Sequence, residues 1–317
     1  MHDPIHSFLA RQPLVVLDGA LATELERRGA DLNDPLWSAK TLIERPDLIR
    51  AVHLDYFRAG ADVATTATYQ ATFEGFARRG IGHNDAARLM CDAVALATAA
   101  RDEFWAVEGN RADRLRPLVA ASVGPYGAML ADGSEYRGCY RVDDAGLADF
   151  HRARLRVLVH SGADLLACET LPSLREALVL ASLLREFPGA CAWISFSCRD
   201  GAHNCEGEDI AECAARLHDI KQIVAVGVNC TPPQYMPSLL RRMRSETAKP
   251  LIAYPNSGER YEASSKKWLG SPGAASFGEQ AALWYAQGAR LIGGCCRTGP
   301  EDIHSVKLCV HPEFLSD

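Results

Sequence analysis

The sequence predicts an α/β protein whose single domain is a (β/α)8 barrel, and three observations support this fold. Short apolar runs of β-type composition alternate with longer segments of helical period, which is typical of parallel sheets with helical crossovers. Eight such runs occur within the 317 residues, a number that favours a closed barrel over an open doubly wound sheet. Gly60, Gly162 and Gly288 each precede a β-type run, as expected of a repeated turn between a helix and a strand.

The predicted strands are short apolar runs. In chain order they are Leu14–Leu17, Asp62–Thr66, Leu118–Val123, Asp164–Cys168, Ala192–Phe196, Ile223–Val228, Leu251–Tyr254 and Leu291–Gly294. The sixth is β-branched and is followed by Asn229, Cys230, Thr231 and two prolines, and the eighth ends in two glycines.

Helical segments separate these strands. They are predicted at Pro46–Arg58, Asn84–Phe104, Ala145–His160, Ser173–Phe187, Ile210–His218, Pro237–Arg244, Phe277–Gln287 and, after the last strand, Pro300–Leu308. Pro300 suits the first turn of its helix, because the missing N–H would have no partner there. No low-complexity segment or flexible linker interrupts the pattern, so residues 1–317 are predicted to form one domain.

Composition and charge narrow the classes of function. The chain is 48% hydrophobic and 23% charged, with a formal net charge of −6 and no basic tract, which argues against a nucleic-acid partner. It has neither a signal-peptide pattern nor an apolar run long enough to span a membrane, so a cytoplasmic protein without a membrane partner is expected. Its eleven scattered cysteines indicate reduced thiols, some of them ligands, and not a disulfide framework.

Three cysteines at two predicted strand ends suggest a metal site. Cys295 and Cys296 follow the last strand, and Cys230 follows the sixth. Adjacent side chains on a strand point to opposite faces, so Cys295 and Cys296 converge only if the backbone turns, which Gly293 and Gly294 would permit. Three thiolates and one open position are the arrangement of a catalytic zinc site. On spacing alone, buried free thiols remain the simpler interpretation of each cysteine.

Polar residues follow every predicted strand, at the end of the barrel where active sites lie. In strand order they are Asp18, Gly19 and Ala20; Thr66, Thr68, Tyr69 and Gln70; Ser122, Gly124, Pro125 and Tyr126; Glu169 and Thr170; Ser195 and Ser197; Asn229 and Cys230; Tyr254, Asn256 and Ser257; and Cys295 and Cys296. Taken alone, Asp18 would be interpreted as a helix cap. The repetition at all strand ends instead predicts one functional rim that includes the three thiols.

Seven motifs spread over nearly the whole chain point to a known family. They are Leu17–Leu25, Thr68–Thr72, Ser122–Gly127, Cys168–Leu171, Gly227–Cys230, Tyr254–Glu259 and Gly293–Cys296. Together they resemble the homocysteine S-methyltransferase family, and the last motif joined to the upstream Asn229–Cys230 is specific to it. The segments Trp37–Lys40 and Leu130–Gly138 are most similar to the members that use S-methylmethionine.

This resemblance implies a zinc-containing barrel that binds L-homocysteine. By residue, it implies that Cys230, Cys295 and Cys296 bind Zn²⁺, that Glu169 takes the substrate ammonium group with Asp18 beside it, and that the backbone at Gly19 and Ala20 meets the substrate carboxylate. The other rim residues expected to contact substrate are Thr68, Tyr69, Ser122, Tyr126, Asn229 and Asn256.

The resemblance also implies the reaction, which is transfer of a methyl group from a sulfonium donor to the thiolate of homocysteine, giving methionine. A free thiol with a pKa of about 8.5 is mostly protonated at neutral pH, and coordination to zinc would remove its proton. S-methylmethionine is the expected donor, with S-adenosylmethionine as a second candidate. Betaine ranks lower, because betaine-type members carry an aromatic residue where this chain has Thr170.

Other interpretations stay open on the sequence. A zinc-free lyase or isomerase would use Asp18 or Glu169 as its base, and a non-catalytic zinc or thiol store would bind homocysteine without turnover. Another zinc-thiolate alkyltransferase would share the metal site. The oligomeric state is not predicted.

Two further groups of residues have more than one interpretation. Cys198, His203 and Cys205 are closely spaced, but their glycine-rich and charged surroundings favour a surface loop over a second metal site. Tyr126 and Tyr136 are equally consistent with a donor pocket, whose aromatic faces would attract a sulfonium, and with packing under a loop.

Overall fold

In a computed structural model, which describes residues 2–32, 37–112, 114–262, 267–269 and 275–309, eight parallel strands form a barrel surrounded by helices. The barrel strands are β1 (Val15–Val16), β2 (Val63–Thr65), β3 (Leu118–Val123), β4 (Leu165–Leu171), β5 (Ala192–Phe196), β6 (Ile223–Asn229), β7 (Leu251–Tyr254) and, after a hairpin, β10 (Ala289–Ile292). Their order in the sheet is β1, β10, β7, β6, β5, β4, β3, β2, and all neighbours are parallel. The predicted (β/α)8 barrel is confirmed.

Thirteen α-helices are present in the described ranges. They are α1 (Pro4–Leu9), α2 (Leu21–Arg27), α3 (Trp37–Glu44), α4 (Pro46–Ala59), α5 (Phe73–Ala77), α6 (His83–Ala106), α7 (Tyr126–Leu130), α8 (Asp144–Val159), α9 (Leu174–Leu184), α10 (Ile210–Leu217), α11 (Met236–Arg244), α12 (Phe277–Ala286) and α13 (Pro300–Cys309). An antiparallel hairpin, β8 (Arg260–Glu262) and β9 (Lys267–Leu269), follows β7. Within these ranges no helix combines the length and hydrophobicity that crossing a membrane requires.

Two large apolar cores stabilise the barrel, beside a small third cluster that includes Phe57 and Phe104. The larger one lies between the strands and the surrounding helices. The smaller one fills the barrel interior and includes Trp193 and Ile252. Ile5 and Phe8 of α1 belong to this inner core, so the first helix contributes side chains to the barrel interior. Gly227 of β6 allows close strand packing, since a Cβ there would lie 2.1 Å from Ile252 O.

The barrel closes between β1 and β2 at a short seam. The N–H of Asp62 donates to Val16 O at 2.7 Å, and that of Asp18 donates to Val63 O at 3.1 Å. Two carboxylates add to these contacts. Asp62 Oδ2 accepts from Val16 N at 3.0 Å, and Asp18 Oδ2 accepts from Thr65 N at 2.8 Å. Side chains therefore extend the pairing that the two-residue β1 is too short to provide.

The predicted elements agree with the structure except at a few places. The predicted glycine turns are confirmed, with φ of +118° at Gly60, +90° at Gly162 and +101° at Gly288. β4 runs to Leu171 and not only to Cys168, because Leu171 pairs with Phe196 of β5 after a register shift.

Several short elements have no counterpart in the prediction. Helices α1, α2, α3, α5 and α7 have between 5 and 8 residues, too few for a helical period to be visible. The family motif at residues 37–40 lies at the start of α3, and the side chains of 37–39 are outside the described residues. The end of the predicted domain, 310–317, is also outside them.

Candidate active site

Three thiols meet at the carboxyl ends of β6 and β10. The Sγ atoms of Cys230 and Cys296 are 3.5 Å apart, those of Cys295 and Cys296 are 4.0 Å apart, and all three lie within 4.8 Å of one another. Over the described ranges, no other group of three or more Cys, His, Asp or Glu side chains is close enough to share a metal ion. The structure thus brings together the three cysteines that the sequence singles out.

The backbone near the thiols is left-handed at two residues that carry side chains. Cys230 has a φ of +48° and Arg297 a φ of +69°, both in the left-handed region that residues with a side chain rarely adopt. Gly293 and Gly294 do not have positive φ. Their role is close approach, since a Cβ on Gly293 would lie 2.6 Å from Leu17 Cβ. The glycine pair thus permits close packing next to the turn, and the left-handed residues are Cys230 and Arg297.

The thiol cluster fits a metal ion that prefers sulfur ligands, such as zinc. Hydrogen bonds with Cys295 and Cys296 lower the pKa of the Cys230 thiol well below its ordinary value, and the pKa values of Cys295 and Cys296 are raised by their hydrogen bonds with Cys230. A bound cation would favour the thiolate form of all three cysteines. Three thiolates leave one position of a tetrahedral site open to a substrate.

Glu169, in β4, contacts side chains from two other strands of the barrel. Its Oε1 accepts a hydrogen bond from Ser122 Oγ, and its Oε2 accepts one from Tyr254 Oη at 3.1 Å. Burial raises the pKa of Glu169 to about 7, although both hydrogen bonds oppose the shift. Because these partners are neutral hydroxyls, the carboxylate keeps its capacity to bind a cationic group.

Asp18 is the second buried acid of the rim. Its Oδ1 accepts from Thr65 Oγ1 at 2.9 Å, in addition to the backbone contact at the seam. Burial raises the pKa of Asp18 to about 8, and the charge of Glu169 contributes in the same direction. The two acids therefore lie close enough to repel each other when both are ionised, and a cation between them would favour both charges.

Asn229 connects the strand ends beneath the thiols. Its Oδ1 accepts from Thr170 N at 2.7 Å and from Ser195 Oγ at 2.9 Å. Its Nδ2 donates to Thr170 Oγ1 at 2.8 Å and lies 4.0 Å from Cys295 Sγ. Thr170 has a φ of +59°, so Asn229 holds a backbone conformation that would otherwise be unfavourable.

The other predicted site residues differ in their hydrogen bonds within the protein. Thr68 Oγ1 donates to Ser122 O at 2.7 Å, which fixes the ends of β2 and β3. Ala20 N donates to Thr298 O at 3.3 Å, so the neighbouring Gly19 backbone is the better candidate for binding a carboxylate. Asn256 is 6% exposed, and its Oδ1 is buried without a hydrogen-bond partner in the described part of the chain.

The tyrosines near the rim differ in their surroundings. Tyr136 Oη lies 3.1 Å from Cys230 Sγ, beside the thiol cluster. The Tyr126 ring packs 5.3 Å from that of Tyr140 and 5.0 Å from that of Phe150. The backbone O of Tyr69 accepts from Gly124 N at 3.3 Å. Tyr126 N donates at 2.6 Å to Oε1 of Glu176, a buried acid that also lies 2.8 Å from His151 Nε2.

The separate group Cys198, His203 and Cys205 forms no such cluster. His203 Nδ1 instead lies 3.0 Å from Asp200 Oδ1 on a partly exposed segment. This agrees with the preference against a second metal site, but Cys198 is buried in the larger core and does not lie on a surface loop.

Sequence reasoning assigned no role to three residues that support the acids. Tyr254 contacts Glu169, and Ser195 Oγ lies 2.6 Å from Tyr254 Oη. Thr65 binds Asp18 through both its backbone and its side chain. Tyr254 and Ser195 were visible as polar residues at strand ends, whereas the role of Thr65 depends on which strands meet at the seam.

Comparison with known proteins agrees over nearly the whole chain. The family model described as homocysteine S-methyltransferase matches residues 15–310. Homocysteine S-methyltransferase YbgG of Bacillus subtilis (strain 168) is 55% identical over 304 residues, which are 96% of each protein. Two crystal structures of homocysteine methyltransferase MmuM from Escherichia coli, each 46% identical, are also similar. The oxidized form has a TM-score of 0.88 over 97% of this chain and 99% of that one, and the metallated form has 0.87 over 96% and 99%.

Proposed function

The chain belongs to the homocysteine S-methyltransferase family and is an enzyme, and we propose that it methylates L-homocysteine with S-methylmethionine, giving methionine. S-adenosylmethionine, also a sulfonium, is the second candidate donor. The observation that carries this proposal is the convergence of Cys230, Cys295 and Cys296 on the rim that also holds two buried acids.

Zinc is the metal that we propose for the thiol cluster. Its support is the donor set of three sulfur atoms within 4.8 Å of one another, together with the metallated form of a similar protein. When bound, zinc would lower the pKa of a coordinating substrate thiol, so that homocysteine would be present as the thiolate. Cys230, Cys295 and Cys296 would be the ligands.

Asp18 and Glu169 are the groups that we propose for the ammonium of homocysteine. Both carboxylates are buried, and burial raises the pKa of each, to about 8 and about 7. An ammonium group would favour the ionised form of both acids and relieve their repulsion. The backbone of Gly19 would meet the substrate carboxylate. Ser122, Tyr254 and Thr65 would keep the two acids in place.

Methyl transfer between two sulfur atoms needs little proton transfer from the protein. The thiolate sulfur of homocysteine attacks the donor methyl carbon, a new S–C bond forms, and the bond between that carbon and the donor sulfur breaks. The electron pair of the broken bond stays on the donor sulfur, so the sulfonium and thiolate charges both disappear. The protein contributes orientation, which is worth about 7 to 11 kcal/mol in the best intramolecular reactions.

A sulfonium donor is favoured over betaine by the residue that follows Glu169 in β4. Thr170 has no aromatic ring, and its backbone and hydroxyl are both bound to Asn229. The segment Leu130–Gly138, similar to that of S-methylmethionine-dependent members, places Tyr136 beside the thiols.

The test is the ratio of methionine formed to homocysteine consumed by the zinc-loaded enzyme, with S-methylmethionine, S-adenosylmethionine and betaine offered separately. S-methylmethionine should give two methionines per homocysteine, because the demethylated donor is itself methionine. Cys296→Ser is the matched inactive control. Absence of turnover with all three donors would refute the proposal.

We further propose that residues 1–317 act as one domain in the cytoplasm. The free state of all eleven cysteines is what a reducing compartment would maintain.

A further inference from the structure

The turn that contains Glu135 and Tyr136 is held beside the thiol cluster. Ser197 Oγ donates to Glu135 O at 3.1 Å. A Cβ on Gly127 would lie 2.5 Å from Glu135 N, so glycine is needed for α7 to approach this turn. The next side chain, Tyr136, reaches to 3.1 Å from Cys230 Sγ. Glu135 therefore has a fixed backbone at the edge of the site.

One oxygen of the Glu135 carboxylate is left without a partner, although the carboxylate accepts a hydrogen bond from its own backbone N–H and is attracted by the charge of Arg137. Its Oε2 is buried and makes no hydrogen bond with any residue that the structure describes. Burial raises the pKa of Glu135 to about 7, and the nearby charges of Cys230 and Asp132 add to the shift. The side chain of Arg137 is 60% exposed and donates to Asp132 O at 3.1 Å. Burying a carboxylate oxygen without a hydrogen-bond donor costs free energy, and such an oxygen can still accept a contact from a ligand.

We propose that the Glu135 carboxylate recognises the sulfonium charge of the methyl donor, an inference that rests on the proposed function. For transfer, the methyl carbon must lie about 3 to 3.5 Å from the attacking sulfur, which places the sulfonium close to the thiol cluster. The acids assigned to homocysteine, Asp18 and Glu169, already accept hydrogen bonds from the protein, whereas Glu135 Oε2 does not.

The surroundings of Glu135 suit a sulfonium. Burial and, to a smaller extent, the charge of Glu135 raise the pKa of the Tyr69 phenol, and Tyr136 is the residue next to Glu135 in the chain. Aromatic faces attract cations, and a cation here would offset the repulsion between Glu135 and the thiolate of Cys230. Loss of the positive charge on transfer would remove this attraction, which favours release of the demethylated product.

The test is calorimetric binding of S-methylmethionine to zinc-loaded enzyme without homocysteine, so that no turnover occurs. Glu135→Gln keeps the shape of the side chain and should weaken S-methylmethionine binding by about tenfold or more. Homocysteine affinity and zinc content should not change. The control is Asp132→Asn, an exposed neighbour whose side-chain oxygen can still accept from Ser134 N, and it should bind the donor as the wild type does.

Binding of a second ligand distinguishes recognition of the sulfonium from recognition of the ammonium group of the donor. Dimethylsulfoniopropionate has the sulfonium but no ammonium group, and Glu135→Gln should weaken its binding by the same factor. If only S-methylmethionine binding falls, Glu135 contacts the ammonium group and the assignment is overturned. Unchanged binding of both ligands, or an equal loss for homocysteine, also overturns it. Failure of the wild type to form methionine from S-methylmethionine would instead refute the proposed function.

Discussion

Replacing Glu169 by glutamine tests the buried acid that is proposed to hold the substrate ammonium. Methionine is the preferred probe, because it carries the same ammonium and carboxylate groups as homocysteine but no free thiol. A hydrogen bond to a charged group is worth about 1.5 to 3 kcal/mol, which corresponds to roughly 10- to 150-fold in affinity. Since Asp18 remains as a second acid that can hold the ammonium in the variant, a loss near the lower end, about tenfold, is expected.

The pH dependence of methionine affinity provides a second readout in the same experiment. Burial raises the pKa of Glu169 to about 7, so the carboxyl is mostly protonated below that pH and binds an ammonium poorly. In the wild type, methionine affinity should therefore rise as pH increases through about 7. In Glu169→Gln this rise should disappear, which leaves only the titration of Asp18, whose pKa should be lower than in the wild type because the charge of Glu169 no longer raises it.

Isothermal titration calorimetry at several pH values measures both effects. Glu186→Gln is the control, because Glu186 is partly exposed and pairs with Arg152 at 3.1 Å away from the rim. Its affinities and pH profile should match those of the wild type. If Glu169→Gln binds methionine within about twofold of the wild type at pH 8, or keeps the rise near pH 7, then Glu169 does not hold the ammonium group.

Three other perturbations follow from the site and the fold. Cys296→Ser should lose both bound zinc and methionine formation, because Cys296 belongs to the thiol cluster. The control Cys139→Ser, at an exposed position, should keep both. A metal-free Cys296→Ser enzyme with full activity would exclude the metal mechanism. Gly227→Ala should lower the free energy of unfolding, measured in urea, by about 1–3 kcal/mol or more, because the new Cβ would clash with Ile252 O. The control Gly189→Ala has open space around the new Cβ and should change this free energy little. Equal stabilities of the two variants would contradict this packing. Burial raises the pKa of Glu176 to about 7, so its contribution to stability is present below about pH 4.5 and is lost as pH rises through 7. Between pH 5 and 7 the metal-free wild type should lose up to about 1.4 kcal/mol per pH unit relative to Glu176→Gln, and parallel unfolding profiles would contradict the shift.

Local sequence patterns predicted the barrel well, because apolar runs and helix-ending glycines determine the structure of only the few residues around them. The positions of Cys230, Cys295 and Cys296 at strand ends were likewise visible. Their convergence was not fully predictable, since it depends on a left-handed backbone at Cys230 that no residue type signals. The partners of Glu169 come from β3 and β7, and such contacts depend on barrel register and curvature. The burial of Glu135 Oε2 depends on loops that the periodicity does not describe.

The seam between β1 and β2 links opening of the barrel to occupancy of the site. Asp18 supplies one contact of that seam, by accepting from Thr65 N at 2.8 Å, and it is also proposed to meet the substrate. A ligand that favours the charged form of Asp18 strengthens its hydrogen bond with the Thr65 amide. Exchange of that amide proton with deuterium should then slow when homocysteine binds. The substrate would stabilise the seam between β1 and β2, so an empty enzyme would open there more often than one with substrate bound.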